Sequence, residues 1–384
     1  MSPSDQLTTL RQPATAAAGS HIATRTPAEL TKAAALLRGR MLTLTSADAP
    51  LLAPLLDVET SGIILTGTSG YEELKPLQRQ NPGLLLAMEP ISVTKYTATF
   101  DKPFRLSTDG LFDQTLAEFL EGQASAGAAI TITPTGFFPA GDADPLKEAV
   151  KQANIQGRDD TVLTMPVHPR WLKSESVGQL IAIAQTSIHP VALVVCNSYS
   201  DPLDEKGVPV GYRRFFAEVP AAIAWRTDMA GFEAMSQGAL AAAIGELPSQ
   251  RRGIVPGHGP RSSDKSDRSP HVLLPGMLRY ARTSAMTRNW FASSAAPSCD
   301  CIHCGGRTWD SFTGSPEDKL AAHRHNLGIV TSMFNDMGSL TAESPKAWWR
   351  RQLSRAEIEH EALSASTSVK IGLPGPLKAW LRLD

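Results

Sequence analysis

The chain has 384 residues, 42% apolar and 20% charged, which is the profile of an ordinary water-soluble globular protein with ample material for a large core. Its 37 Lys and Arg against 38 Asp and Glu give a formal charge of -1, so nucleic-acid or membrane binding can rest only on a local patch, not on the overall field. With four cysteines, three of them close together, no disulfide framework is available, and no apolar run approaches the roughly 20 residues that span a bilayer. These features predict a cytoplasmic protein with no membrane partner.

Residues 1–27, rich in Ser, Thr, Ala and Gln, read as a flexible tail. From there short apolar runs alternate with amphipathic ones, the pattern of repeated βα units. Pro27-Ala28-Glu29 opens a helix running to 37, 41–45 reads as a strand, 55–67 as a hairpin or a strand, and 71–80 as a helix. The run 83–90 ends in Glu89-Pro90 and reads as a buried parallel strand with an acid at its tip. Strands follow over 104–110, 128–136, 161–168, 191–198, 221–228 and 252–257. Helices are expected over 114–121, 144–154 and 174–186, with a long Ala-rich one over 231–244.

Seven runs from Leu84 onward, with either 41–45 or 63–67 as the eighth, predict a (β/α)8 TIM-like barrel over 28–290. An open doubly wound sheet also alternates, but it usually shows a Gly-rich first turn, which is missing here. In a barrel the residues at the strand tips, Glu89, Asp109, Thr135, His168, Asn197 and Asp228, gather at one mouth. The competing role for Asp109 and Asn197 is to cap the following helix, and for His168 to pack as a polar residue.

Eight Lys or Arg against two Asp between Arg251 and Trp290 form a basic stretch, either a phosphate-binding patch or a solvated face. Residues 291–384 form a separate C-terminal module with helices. Its signature is Cys299-Asp300-Cys301-Ile302-His303-Cys304, followed by His323-Arg324-His325-Asn326-Leu327. Packing does not repeat on a Cys-x-Cys-x-x-Cys spacing, whereas one borderline-soft ion explains it, and Zn2+ in a closed, structural Cys3His set is the natural candidate. His325 is the preferred fourth ligand. His323 lies two positions earlier on the same helix and faces elsewhere. The paired Trp348 and Trp349 are expected to dock a terminal helix on the body.

This combination resembles the queuine tRNA-ribosyltransferases, the tRNA-guanine transglycosylase family, which carry a (β/α)8 barrel and a zinc module bound by Cys-x-Cys-x-x-Cys and the histidine of a later His-Asn-Leu. Cys299, Cys301, Cys304 and His325 stand in that pattern, with a shorter gap before the histidine. Ser107-Thr108-Asp109-Gly110-Leu111-Phe112-Asp113-Gln114 is similar to the family's Thr-Asp-Ser-Gly-Gly-Phe-Gln segment. The resemblance therefore implies base exchange at the glycosidic bond of a guanine or 7-deazaguanine base in tRNA or DNA, with Asp109 inheriting a family carboxylate; Asp228, at a later strand end, is the candidate for the other catalytic carboxylate. The resemblance makes Asn197 a base reader and places His168 where the family has a second base-reading aspartate. It also implies subunits paired, with themselves or a relative, through the zinc module. The family's nucleophilic aspartate on the last strand before the module finds no counterpart in 252–257. Two other readings stay open: a non-catalytic zinc-stapled barrel that binds nucleic acid or an active partner subunit, and a barrel enzyme on a small metabolite.

Overall fold

The computed structural model describes residues 26–46, 48–67, 70–90, 95–107, 113–258, 266–339 and 343–383. Asp109 lies outside them. Eight parallel strands form one sheet: β1 (Arg40–Thr45), β2 (Ser61–Thr66), β3 (Leu85–Glu89), β4 (Thr131–Ile132), β5 (Thr161–Val167), β6 (Val191–Val195), β7 (Ala222–Thr227) and β8 (Ala241–Gly245). Their order is β3-β2-β1-β8-β7-β6-β5-β4. The two edges meet where the Ala129 amide, just before β4, donates to the Leu86 carbonyl of β3 at 2.8 Å. The sheet is thus a TIM-type barrel.

Strand periodicity explains why the chain closes this way. Alternate residues of the strands, among them Leu42, Leu44, Ile64, Leu85, Ala87, Ile132, Val162, Ala192, Val194, Ile223, Ala241 and Ala243, pack together as the inner cluster. Residues one position away, such as Leu163, Met165, Val191, Leu193, Ala222 and Ala242, pack in a second cluster with the helices. These helices are α1 (Lys32–Leu37), α2 (Gly70–Gln80), α3 (Leu116–Ser125), α4 (Asp144–Gln156), α5 (Val177–Ala184), α6 (Val208–Glu218) and α7 (Ala230–Ser236). At α1 the expected single helix is split: Pro27–Leu30 is a 3-10 turn, and the Thr31 hydroxyl accepts from the Ala34 amide at 3.1 Å to start α1.

The count of eight strands holds, but its membership changes: both early segments, not one of them, enter the barrel as β1 and β2, and three later places differ. The segment around Phe104 is not a barrel strand; it runs antiparallel along the end of β4, with Arg105 donating to the Pro134 carbonyl at 2.8 Å. The long helix expected over 231–244 ends as α7. Gly238, at φ +110°, breaks it, and the alanines then form β8 between β1 and β7. Alanine favours helices, but only a small side chain fits beside Trp225, which pairs in register with Ala243. The stretch 252–257 contributes only Gly253, bridged to Cys196. The last barrel strand is therefore β8, and Glu246 follows it directly, so an acid does stand where the sequence suggested none.

After the barrel come the hairpin β9 (His271–Leu274) and β10 (Arg279–Arg282), then α8 (Pro316–Gly338), α9 (Pro345–Thr367) and α10 (Gly375–Leu381). Both long helices start on a Ser-Pro pair. Ser315 Oγ accepts from the Asp318 amide at 3.1 Å and Ser344 Oγ from the Ala347 amide at 3.2 Å, with proline supplying the first turn. The hairpin shares an apolar cluster with Cys299, Cys304, Phe312 and Ala322. Trp349 stacks on Phe232 of α7, ring centroids 5.7 Å apart, and its indole N–H donates to Glu233 at 2.8 Å, so the paired tryptophans do dock α9 on the body. Among the described residues no helix is long and apolar enough to cross a membrane.

Candidate functional site

Two clusters of chemistry-bearing side chains flank the hairpin. The first is the cysteine set. His325 Nδ1 lies 3.4 Å from the sulfurs of Cys299 and Cys301 and 3.0 Å from that of Cys304. A tetrahedral ion with metal–sulfur bonds of about 2.3 Å and a metal–nitrogen bond of about 2.0 Å sets sulfur and nitrogen roughly 3.5 Å apart, so the four atoms surround one metal-sized position. The other ring nitrogen, Nε2, lies 2.8 Å from the Leu273 carbonyl, which fixes the tautomer and leaves Nδ1 as the ligand. Asn326 completes the anchor: its Oδ1 accepts from the Leu273 amide at 2.7 Å and its Nδ2 donates to the His271 carbonyl at 2.9 Å. Burial pushes the Cys299 and Cys304 thiols up, and neighbouring sulfur charge adds to it, so a cation is what would hold them as thiolates. These residues could hold a metal ion.

The second cluster lies at the C-terminal ends of β6, β7 and β8, where barrel enzymes keep their chemistry. A cavity of about 270 Å3 there is lined by Asp201, Trp225, Asp228, Arg251, Arg252 and Tyr280, among others. Asp201, Leu203, Asp228 and Tyr280 also line a neighbouring cavity of about 490 Å3 that reaches the C-terminal segment before α10. The two acids thus sit where the cavities adjoin.

Local structure explains how they are held. Asp228 follows β7 and accepts from the Ala230 amide at 3.1 Å, so it also caps α7. Asp201 starts the turn Pro202–Asp204 and accepts from the Leu203 amide at 2.9 Å. Burial, reinforced by the nearby Asp228 charge, raises Asp201 to about 7. Burial raises Asp228 as well, opposed by its amide bond and by Arg251 and Arg252. Arg251 is anchored to the Gly245 and Glu246 carbonyls at 2.9 and 2.7 Å, with its guanidinium carbon 3.3 Å from the centre of the Tyr280 ring. His271 is pushed down to about 3 by burial and the positive charge of Arg251 and Arg282, so it is neutral at ordinary pH. Two carboxyls and two guanidiniums facing one cavity can shuttle a proton beside a bound polar or anionic group.

The cavity wall rests on a strained residue. A bulge in β7 between Trp225 and Thr227 leaves Arg226 at φ +52°, a conformation that costs an arginine energy. It turns the guanidinium onto Glu89, with Nη2–Oε2 of 2.5 Å and Nε–Oε1 of 2.7 Å, while the Trp225 indole N–H donates to the same carboxylate at 2.8 Å. Glu89 is therefore a structural anchor beneath the cavity.

Of the residues singled out from sequence, the structure brings Cys299, Cys301, Cys304 and His325 together and sets Asp228 in the cavity. It gives His168 and Asn197 local duties instead. His168 Nδ1 accepts from the Arg170 amide at 3.2 Å, capping the turn after β5. Asn197 Oδ1 accepts from the Tyr199 amide at 3.1 Å, and its Nδ2 donates to Ser200 Oγ at 3.2 Å. Neither lines the two cavities described above. Sequence reasoning missed Asp201, Arg251 and Tyr280 as a group. Part of the basic stretch is also committed internally, Arg251 to Tyr280 and both Arg282 and Arg288 to Asp267, at 3.5 and 3.6 Å.

No family model and no curated protein matches this chain. Among solved structures it is similar to a 3-hexulose-6-phosphate synthase, with 14% identity, 54% of this chain and 90% of that one covered, and a TM-score of 0.29. It is also similar to a mutant tryptophan synthase alpha-subunit from the hyperthermophile Pyrococcus furiosus, with 15% identity, 54% and 87% covered, and a TM-score of 0.31.

Proposed function

We propose that the chain is a divergent base-exchange enzyme of the tRNA-guanine transglycosylase type, stapled by a structural zinc ion at Cys299, Cys301, Cys304 and His325. The observation that carries the reading is that Asp201 and Asp228 line one cavity as an interacting pair, both pushed up by burial, with the Asp228 charge raising Asp201 further. Asp201 is held near neutrality as an acid, and Asp228 keeps Arg251 and Arg252 beside it. Chemistry at a glycosidic bond asks for such a pair. A carboxylate oxygen of Asp228 bonds to the ribose C1′, the C1′–N bond breaks, its electron pair stays on the base nitrogen, and Asp201 delivers the proton. The incoming base reverses these steps.

Asp109, the partner that the sequence suggests for Asp228, lies outside the described residues, and Asp201 takes its place in this scheme. The cavity's modest size of about 270 Å3, the near-neutral chain and the internally paired arginines favour a second reading, in which the same acids act on a small metabolite rather than on tRNA or DNA.

The test is exchange of labelled guanine or 7-deazaguanine into tRNA, DNA and free nucleosides by the zinc-loaded protein. Label in tRNA or DNA that falls at least about 100-fold in Asp228→Asn and Asp201→Asn supports the proposal. Label in nucleosides alone supports the small-metabolite reading. Exchange that persists in both variants refutes the assignment of the acids. Pairing of subunits through the metal module belongs to the same proposal, and a monomer by sedimentation would remove it.

A further inference from the structure

We infer that Asp48, Glu246 and His323 form a second cation site, for a divalent ion that accepts oxygen and nitrogen ligands, at the mouth of the barrel and separate from the cysteine cluster. Three distant parts of the chain bring the ligands together. Asp48 follows β1, Glu246 follows β8, which is paired with β1, and His323 projects from α8. The Glu246 amide donates to the Leu44 carbonyl at 2.9 Å, which fixes its place over the barrel end.

One nitrogen faces two carboxylates. His323 Nδ1 lies 2.6 Å from Asp48 Oδ2 and 2.5 Å from Glu246 Oε1. A single ring N–H can satisfy only one of them. It is aligned on Asp48, and Glu246 Oε1 has no hydrogen bond of acceptable geometry, although only 5% of that side chain is exposed. A buried carboxylate oxygen without a proton donor is costly, and a bound cation removes the cost. The two carboxylates carry two negative charges, which a divalent ion cancels when it takes the place of the proton on the ring nitrogen between them.

The surroundings fit an ion as well. Three cis ligands at about 2.1 Å from an octahedral ion lie roughly 3.0 Å apart, so opening the trio by a few tenths of an ångström seats one. Glu246 Oε2 is bonded by the Thr45 hydroxyl, an outer contact of the kind that orients a metal-binding carboxylate. A small cavity of about 30 Å3 opens beside Glu246, His323 and Tyr280, and such a volume holds a water or two to complete the coordination. A nitrogen and two carboxylates suit Mn2+, Fe2+ or Zn2+ better than Mg2+ or Ca2+. Tyr280 also lines the cavities of the acid pair, so the ion would lie one side chain away from them. This inference does not depend on which reaction those acids perform.

Manganese alone is the probe. Zinc-loaded protein, stripped of weakly held ions, is titrated with MnCl2 while the free-ion resonance is followed by electron paramagnetic resonance, and zinc content is measured in parallel. The site predicts one Mn2+ per chain with zinc unchanged, and at least about tenfold weaker binding in Glu246→Gln and His323→Ala. Asp48→Asn, at a partly exposed position that leaves the fold intact, should weaken it too. Absence of Mn2+ binding up to about 1 mM, the weak end of protein cation sites, overturns the inference. So does equal binding by wild type and all three variants.

Discussion

The Glu89–Arg226 pair gives the sharpest test of how the mouth of this barrel is built. Glu89 keeps 1% and Arg226 9% of the side chain exposed, and the contact is two-pronged, with the Trp225 indole as a third bond. Glu89→Met leaves the guanidinium buried with only the Ser249 carbonyl, at 2.9 Å, to receive it. Removing one partner of a buried pair costs about 3–5 kcal/mol, and an orphaned indole N–H about 1–3 kcal/mol more, so a loss of at least about 4 kcal/mol is expected. Arg226→Met should cost a similar amount by stranding the carboxylate. Because an apolar pair avoids the desolvation of both charges, Glu89→Met with Arg226→Met should be at least about 2 kcal/mol more stable than the sum of the singles predicts. Urea unfolding followed by far-ultraviolet circular dichroism measures all four proteins. Singles costing under about 1 kcal/mol, or a double equal to their sum, would refute the reasoning.

Three further outcomes follow from other parts of the molecule. A Cβ at Gly253 would fall 2.2 Å from Cys196 Sγ, so Gly253→Ala should lose about 1–3 kcal/mol in urea unfolding, and adding Cys196→Ala should recover part of it. Chelation under reducing conditions, or Cys301→Ser, should release the metal and expose 291–315 to protease while the barrel persists; unchanged protease resistance would contradict a structural ion. The raised Asp201 carboxyl contributes stability below the ordinary carboxylate value of 3.8 and loses it as pH rises through about 7. Asp201→Asn should therefore gain on wild type across that window and level off above it, by about 2 kcal/mol once solvent screening of a half-buried group is allowed for. A pH-independent difference in melting temperature would rule this out.

How much of this was legible depended on whether the signal was local. The cysteine cluster could be read because its ligands repeat on a short spacing, and His325 was separable from His323 by the helix period alone. The strands with bulky alternating residues were equally clear. β8 was hidden because Ala241 to Ala243 carry helix propensity, and only the neighbouring Trp225 and the turn at Gly238 make them a strand. With β8 hidden, Glu246 was invisible as a strand-end acid. Asp201 sits in an aperiodic turn after β6, and nothing in its neighbourhood announces that Asp228, 27 positions on, shares its cavity. His168 and Asn197 show why a strand-tip position alone does not decide a role: here the local alternative that the sequence left open is seen, a polar side chain bonded to the backbone of the next turn.

The most direct test of the central claim is a crystal structure of the zinc-loaded protein soaked with 7-deazaguanine. The account predicts the base in the cavity lined by Asp201, Asp228 and Arg251, with its ring nitrogens within hydrogen-bonding distance of at least one of the two carboxyls, and displaced in Asp228→Asn. A base bound elsewhere on the barrel, or bound in that cavity without contact to either acid, would contradict it.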